Sequence, residues 1–305
     1  MDTQHPGSPA PHDAPVAPPT AILAATTRIT FATAAAHPGE RLLAVETAVN
    51  VIYGTVPYAV MMMTPADLPD FAVGFSLTEG VIADSADVRG TRVEDGPGGL
   101  RLIVTLAPER FHTLLARRRS MAGRTSCGVC GIEDLAAVPR TPQRAPGQGG
   151  VTVAAIRRAL DDLPGLQRLN GQTGAVHAAA WATLDGTITC LREDVGRHNA
   201  LDKLAGALLT ADADPAAGFL VVTSRCSYEM VEKAAAIGAG VMVAISAPTS
   251  LGVERARHHG ITLAGLARGD AMTVYSRPDG ITGLGMGVAA HGRCSLVMSA
   301  GPDTG

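Results

Sequence analysis

Two thiols three positions apart, in Ser126-Cys127-Gly128-Val129-Cys130-Gly131, are the side chains of this sequence best suited to covalent chemistry. That spacing serves metal ligation, dithiol–disulfide exchange, or carriage of a sulfur atom on one cysteine. A structural zinc site needs four ligands. No second CxxC exists, and Cys190, Cys226 and Cys294 are scattered. A thioredoxin-like pair opens a helix after a strand, whereas this pair lies between glycines in a long loop. Arg117, Arg118, Arg119 and Arg124 precede it, and nearby positive charge favours the nucleophilic thiolate. Sulfur carriage fits an arginine-flanked pair better than a structural role; two incidental cysteines are the plain alternative. Zinc deaminase chemistry requires His-x-Glu upstream and Pro-Cys-x-x-Cys downstream. None of the nine histidines is followed two positions later by glutamate, and Ser126 stands in the proline position. No metal is expected.

Three further constellations follow. Arg192-Glu193-Asp194-Val195-Gly196-Arg197-His198-Asn199-Ala200-Leu201-Asp202-Lys203 packs most polar side-chain types into one strand-to-helix connection. Asn199 as a helix cap, with Asp202 and Lys203 on the surface, explains part of it. Glu193, Asp194, Arg197 and His198 together on one turn read as a binding site. Thr223-Ser224-Arg225-Cys226-Ser227 follows an apolar strand and opens a helix, where free N–H groups and the dipole favour an anion. Ser227 is either an N-cap or, with Ser224 and Arg225, part of a phosphate site. Lys233 is expected to pair with Glu229 at i,i+4. Leu266-Ala267-Arg268-Gly269-Asp270-Ala271 is on pattern alone a hairpin turn. His177 faces either core or pocket.

The elements that position these residues form two units. Residues 28–116 read as a small α+β unit. In it, Thr64 is the expected N-cap of a helix with Pro65 at its first position, and Pro108 to Arg119 is a second helix. Residues 117–150, rich in Arg, Gly, Pro, Ser and Gln, form the connecting loop. Residues 151–278 alternate strands and helices, as expected of a mixed sheet covered by helices. A hairpin is expected at Asp185-Gly186, and a helix over Tyr228 to Ile237. Residues 1–27 read as a disordered tail and 279–305 as a glycine-rich one. Ligands on such sheets favour the loops at the carboxyl ends of strands.

Composition limits the alternatives. The 305 residues carry 46% hydrophobic and 17% charged side chains, a globular balance. Net charge is -3 and aromatics are 3%, which is neither the footprint nor the stacking platform of a nucleic-acid binder. Only Lys203 and Lys233 are lysines among the 25 basic residues, and both lie in the densest polar segments. Residues 1–27 lack the Lys or Arg of a secretory n-region. The uncharged stretch from Ala234 to Val253 is broken by glycines and Pro248, unlike a membrane span. Five cysteines argue for a reducing compartment, so the expected location is the cytoplasm.

With these motifs assembled, the chain resembles the formate dehydrogenase accessory sulfurtransferase family (FdhD). The matching pieces are SCGVCG at 126–131, TGAVHAAA at 173–180, REDVGRHNALDKL at 192–204, TSRCSYEMVEKAAAIG at 223–238 and ITLAGLARG at 261–269. The resemblance implies an α/β (α+β overall) chain. Its C-terminal domain would be cytidine-deaminase-like and three-layered without the zinc site, beside a small N-terminal α+β domain. It implies a cytoplasmic homodimer that accepts sulfur from a cysteine desulfurase as a persulfide. The sulfur passes to the molybdenum of the bis(molybdopterin guanine dinucleotide) cofactor before its insertion into formate dehydrogenase. By the same resemblance Cys127 carries the persulfide, Cys130 assists, and the cofactor-binding turn is Leu266 to Ala271. Arg197, His198, Ser224, Arg225 and Ser227 would complete the cofactor site, with Asp194 or Glu193 reading a guanine edge. Asp270 brings an acid toward a phosphate-rich ligand, which Arg268 offsets. Two other readings remain at this point: a non-catalytic cofactor chaperone and a dithiol oxidoreductase.

Overall fold

Residues 18–121, Gly147 and 150–284 are described by a computed structural model. Cys127, Cys130 and Cys294 lie outside them. The chain begins with a two-stranded antiparallel ribbon, β1 (Ala21–Thr30) and β2 (Ala35–Ala44). The tail expected through residue 27 therefore ends earlier. Its proline-rich first nineteen residues masked the Ile, Leu and Thr content that follows. Next come β3 (Thr47–Tyr53), β4 (Val56–Met63), α1 (Leu68–Thr78), β5 (Val88–Gly96), β6 (Gly99–Leu106) and α2 (Pro108–Met121). The four strands form one sheet in the order β4-β3-β6-β5. Phe71 and Phe75 of α1 pack onto Val49, Val51, Leu102 and Val104, which alternate inward as a half-covered sheet requires.

The second unit contains β7 (Val151–Thr152), α3 (Val153–Leu166), α4 (Arg168–Thr173), β8 (His177–Thr183), β9 (Ile188–Asp194) and α5 (Arg197–Thr210). It continues with β10 (Gly218–Val222), α6 (Tyr228–Ile237), β11 (Val241–Ala244), α7 (Ser250–His258), β12 (Thr262–Arg268), β13 (Ala271–Ser276) and β14 (Ile281–Thr282). The six-stranded sheet runs β13-β12-β11-β10-β8-β9, with β10, β11 and β12 parallel and the remaining pairs antiparallel. Ile156, Ala159 and Leu163 of α3 cover one face. Leu201, Leu204, Met230 and Val231 of α5 and α6 cover the other. Central strands buried on both sides read as continuous apolar runs, such as Phe219 to Val222. The fold is mixed α+β. The glycine-rich end expected from residue 279 is ordered through Thr282, because β14 pairs in parallel with β7.

The two units are separate in sequence and fused in space. α1 crosses α5 so closely that a Cβ on Gly74 would strike the Asp202 carbonyl, and one on Gly206 the Asp70 carbonyl. Only glycine permits that backbone approach. Thr64 is not the cap of α1: the helix starts at Leu68 behind Asp67, whose φ is 53°. Thr64 is instead fully buried against the second unit. Its N–H donates to Asp194 Oδ2 at 3.1 Å, its hydroxyl accepts from Val195 N at 3.2 Å, and its carbonyl accepts from Lys203 Nζ at 2.9 Å. Lys233 does not pair with Glu229. It reaches both oxygens of buried Asp202, at 2.8 and 2.9 Å, and Thr78 Oγ1 at 2.9 Å. Lys233 thus pins α6 to α5 and α1, while Lys203 pins α5 to the end of β9 and to the connection after β4.

Candidate functional site

The sheet gathers four of the sequence motifs on one edge. β10, β11 and β12 end there, and β8 starts there, because it runs antiparallel to β10. His177 at the start of β8 is paired with Asp194 at the end of β9. Thr223 N donates to the Ala178 carbonyl at 3.1 Å, Cys226 N to Ala247 O at 3.3 Å, and Leu266 N to Ser246 O at 3.1 Å. This chain of bonds runs from the Arg192–Lys203 segment through Thr223–Ser227 to the Leu266–Ala271 turn. The carboxyl end is where ligands of such sheets are bound.

Three helices begin at this edge. α7 is closed by its own N-cap, since Thr249 Oγ1 accepts from Gly252 N at 3.1 Å. α5 and α6 are open: Gly196 has no side chain to cap with, and Ser227, at the N-cap of α6, makes no capping bond. Free first-turn N–H groups and two dipole ends make a local positive field without formal charge. Ser227 Oγ and Arg197 Nε are buried with no hydrogen-bond partner among the described residues. Buried polar atoms are nearly always satisfied, so these two point to a missing acceptor. Arg225 is exposed beside them. Ser224 is buried and donates to the Arg225 carbonyl at 3.1 Å, which shapes the turn and leaves its hydroxyl committed.

His198 Nε2 lies 2.8 Å from Glu229 Oε2. Glu229 is a partner that sequence reasoning assigned elsewhere; its i,i+4 spacing to Lys233 was the misleading signal. Burial, reinforced by Arg197, holds the His198 imidazole below its ordinary 6.5 despite Glu229. Burial and Arg197 do the same to His177, against the opposing effect of Asp194. The sign follows: the unfolded chain takes up protons first, so folding stability is full above about pH 6.5 and falls on acidification through the lowered values. Thermal unfolding at about pH 7.5 and about pH 5.5 checks this. The midpoint drops at the lower pH, and the drop shrinks in His177→Gln with His198→Gln; an equal drop in that variant assigns the effect to other groups.

Asp194 and Glu193 are not placed to read a guanine edge. Asp194 is wholly buried and forms an ion pair with Lys203 Nζ at 2.7 Å. It also accepts from Gly196 N at 2.8 Å and Asn199 Nδ2 at 3.2 Å. Asn199, expected as the cap, spends its amide there and on Met62 O at 2.9 Å. Glu193 accepts from Leu169 N and Asn170 N, each at 2.8 Å, closing the start of α4. Both carboxylates build the site from behind.

The Leu266–Ala271 turn joins β12 to β13 at the same edge. Ala267 is buried, while Arg268, Gly269, Asp270 and Ala271 are exposed. Leu266 has φ 54°, a left-handed conformation that bulky residues avoid, with a bulge between Gly265 and Arg268. Such strain persists where the surroundings enforce it, commonly at binding sites. Arg157 of α3, which sequence reasoning missed, donates to the Gly269 carbonyl at 2.7 Å. A cavity of about 70 Å³ lies between α3 and the turn. Among the described residues no helix is long and apolar enough to cross a membrane.

The profile of the FdhD/NarQ family matches residues 44–282, which span this whole edge. The chain belongs to the FdhD/NarQ family. A relative from Cupriavidus necator named sulfur carrier protein FdhD is 47% identical over 257 residues, covering 83% of this chain and 89% of that one. Another of the same name from Xanthomonas euvesicatoria pv. vesicatoria is 50% identical over 237 residues, covering 78% and 84%. A solved structure of a candidate formate dehydrogenase accessory protein from Desulfotalea psychrophila superposes with a TM-score of 0.66. At 24% identity it covers 86% of this chain and all of its own, and shares the fold. For a member of the FdhD/NarQ family, REDVGRHNALDKL and TSRCSYEMVEKAAAIG now have a physical content. The first holds the end of β9 and the start of α5 and buries Lys203; the second holds the turn after β10 and the start of α6 and carries Lys233.

Proposed function

We propose that this chain is a sulfur carrier serving formate dehydrogenase. Cys127 takes a sulfane sulfur from a cysteine desulfurase and delivers it to the molybdenum of the bis(molybdopterin guanine dinucleotide) cofactor, before that cofactor enters the enzyme. The observation that carries the reading is the near-half identity, over most of both chains, with relatives named sulfur carrier protein FdhD. In the loading step the Cys127 thiolate attacks the outer sulfur of the donor persulfide. The donor S–S bond breaks, a new one forms on Cys127, and the donor cysteine leaves as a thiolate, with no net oxidation. Cys130 assists. The chain acts in the cytoplasm as a homodimer.

The edge supports the cofactor part of this reading. Phosphate oxygens are the acceptors that Arg197 Nε and Ser227 Oγ lack, and the open starts of α5 and α6 favour their charge. Arg225, Arg268 and neutral His198 complete the lining, with Leu266 to Ala271 as the turn that receives the cofactor. Guanosine diphosphate is the accessible probe. Replacing exposed Arg225 by alanine is expected to weaken its binding several-fold by calorimetry; unchanged affinity removes Arg225 from the site.

The test of the whole reading is incubation with a cysteine desulfurase and cysteine, followed by intact mass without reductant. One added sulfur atom supports carriage. No addition with a competent desulfurase overturns it in favour of a cofactor chaperone.

A further inference from the structure

The β1–β2 ribbon stands apart from both cores. β1 pairs with β2 alone, over ten residues and without a bulge, and β2 meets the rest of the chain chiefly at α4. Leu23 and Ile29 are 61% and 60% exposed, and Phe31 at the tip is fully exposed. A two-stranded ribbon is marginal in water unless a helix covers it or further strands join it. Paired residues share a face, so Leu23, Ala25 and Ile29 line up with Leu42, Glu40 and Ala36. That face holds one charge, Glu40, whereas the other carries Arg28, His37 and Arg41.

The two edges of the ribbon differ. β2 carries Pro38 in its interior beside His37, Glu40 and Arg41, the residue types that blunt a strand edge. β1 has no proline, and Ala21 to Thr27 has no charge; Arg28 is its only one. Among the described residues no strand pairs with its outer side. An unprotected edge of this kind takes another strand, and the same edge of a second copy fits it by symmetry. Two β1 strands would pair antiparallel about a dyad at Ala25. Leu23 would then stand opposite the partner's Thr27, Ala21 opposite the partner's Ile29, and Arg28 opposite the partner's Ile22, so no like charges meet. The product is a four-stranded sheet with one apolar face, above the threshold that the ribbon alone does not reach.

We propose that this chain dimerises by pairing β1 with β1 of a second copy. The proposal rests on the homodimer of the reading above and is independent of sulfur carriage. Ala25→Lys tests it. The new ammonium faces Glu40 within the ribbon, which favours the hairpin, and faces its own copy across the dyad, which opposes pairing. Light scattering on the full chain should show a dimer whose dissociation constant rises about tenfold or more in Ala25→Lys. Ala25→Glu with Glu40→Lys reverses both charges, and mixing the two variants should restore the parent affinity as a heterodimer. Amide exchange, read by peptide mass spectrometry, should quicken more over Ala21–Thr30 than over Ala35–Ala44 when Ala25→Lys is compared with the parent. A monomeric parent overturns the proposal together with the homodimer. A dimer unchanged by Ala25→Lys, a mixture that does not recover, or exchange that quickens equally in both strands overturns the pairing alone.

Discussion

Cys127→Ala is expected to accept no sulfur from a cysteine desulfurase, while Cys130→Ala still accepts one atom. The effect is all-or-none because the thiolate is the nucleophile and nothing substitutes for it. The structure sharpens this expectation through the cysteines it describes. Cys226 is fully buried, and burial alone pushes its thiol up to about 12. It is inert at neutral pH. Cys190 is half-buried, and burial raises its pKa despite Arg192 nearby. Neither competes with a cysteine that follows four arginines within eleven residues. Intact mass on the two variants, with peptide mapping of the modified site, checks the assignment. Sulfur retained in Cys127→Ala would move the carrier to another thiol.

The second large effect is on stability. Lys203→Met should cost about 3–5 kcal/mol, the usual consequence of leaving one partner of a buried ion pair unpaired. Both side chains have no solvent exposure, and Asp194 keeps only neutral donors once the ammonium is gone. Against a typical total of about 5–15 kcal/mol, that is a large share. Adding Asp194→Asn to Lys203→Met removes the stranded charge and should restore much of the loss. Urea unfolding of both variants reads the difference. A loss under about 1 kcal/mol in the single variant would mean that the Lys203–Asp194 pair is worth no more than an exposed one.

Local features were legible in the sequence. Asp185-Gly186 closes the β8–β9 hairpin with Gly186 at φ 89°, and α6 covers Tyr228–Ile237 as its pattern requires. Both are decided by neighbours within a few residues. Thr64 looked like an N-cap because Thr-Pro satisfies the local rule; its true partners, Asp194, Val195 and Lys203, are more than a hundred residues away. Lys233 was given to Glu229 by the same kind of local reasoning, whereas buried Asp202 across the helix interface needs its charge far more. β1 lacks a core face, so no alternation announced it. The site motifs could be found singly from residue types. Their convergence required the strand order, and the loss of Asp194 and Glu193 to internal bonds required the packing.

The crossing of α1 and α5 decides how this protein can be divided. Residues 150–284 contain a complete sheet and every described residue of the candidate edge, and so look like a module that could be moved. They are not expected to be portable. Without the first unit, Gly206 faces an empty groove, Lys203 loses the Thr64 carbonyl, and Asp202 and Lys233 lose the Thr78 hydroxyl. Each half supplies what the other leaves unfinished. The two halves are therefore expected to behave as complementing fragments: neither should unfold cooperatively alone, and mixing them should restore one transition by circular dichroism.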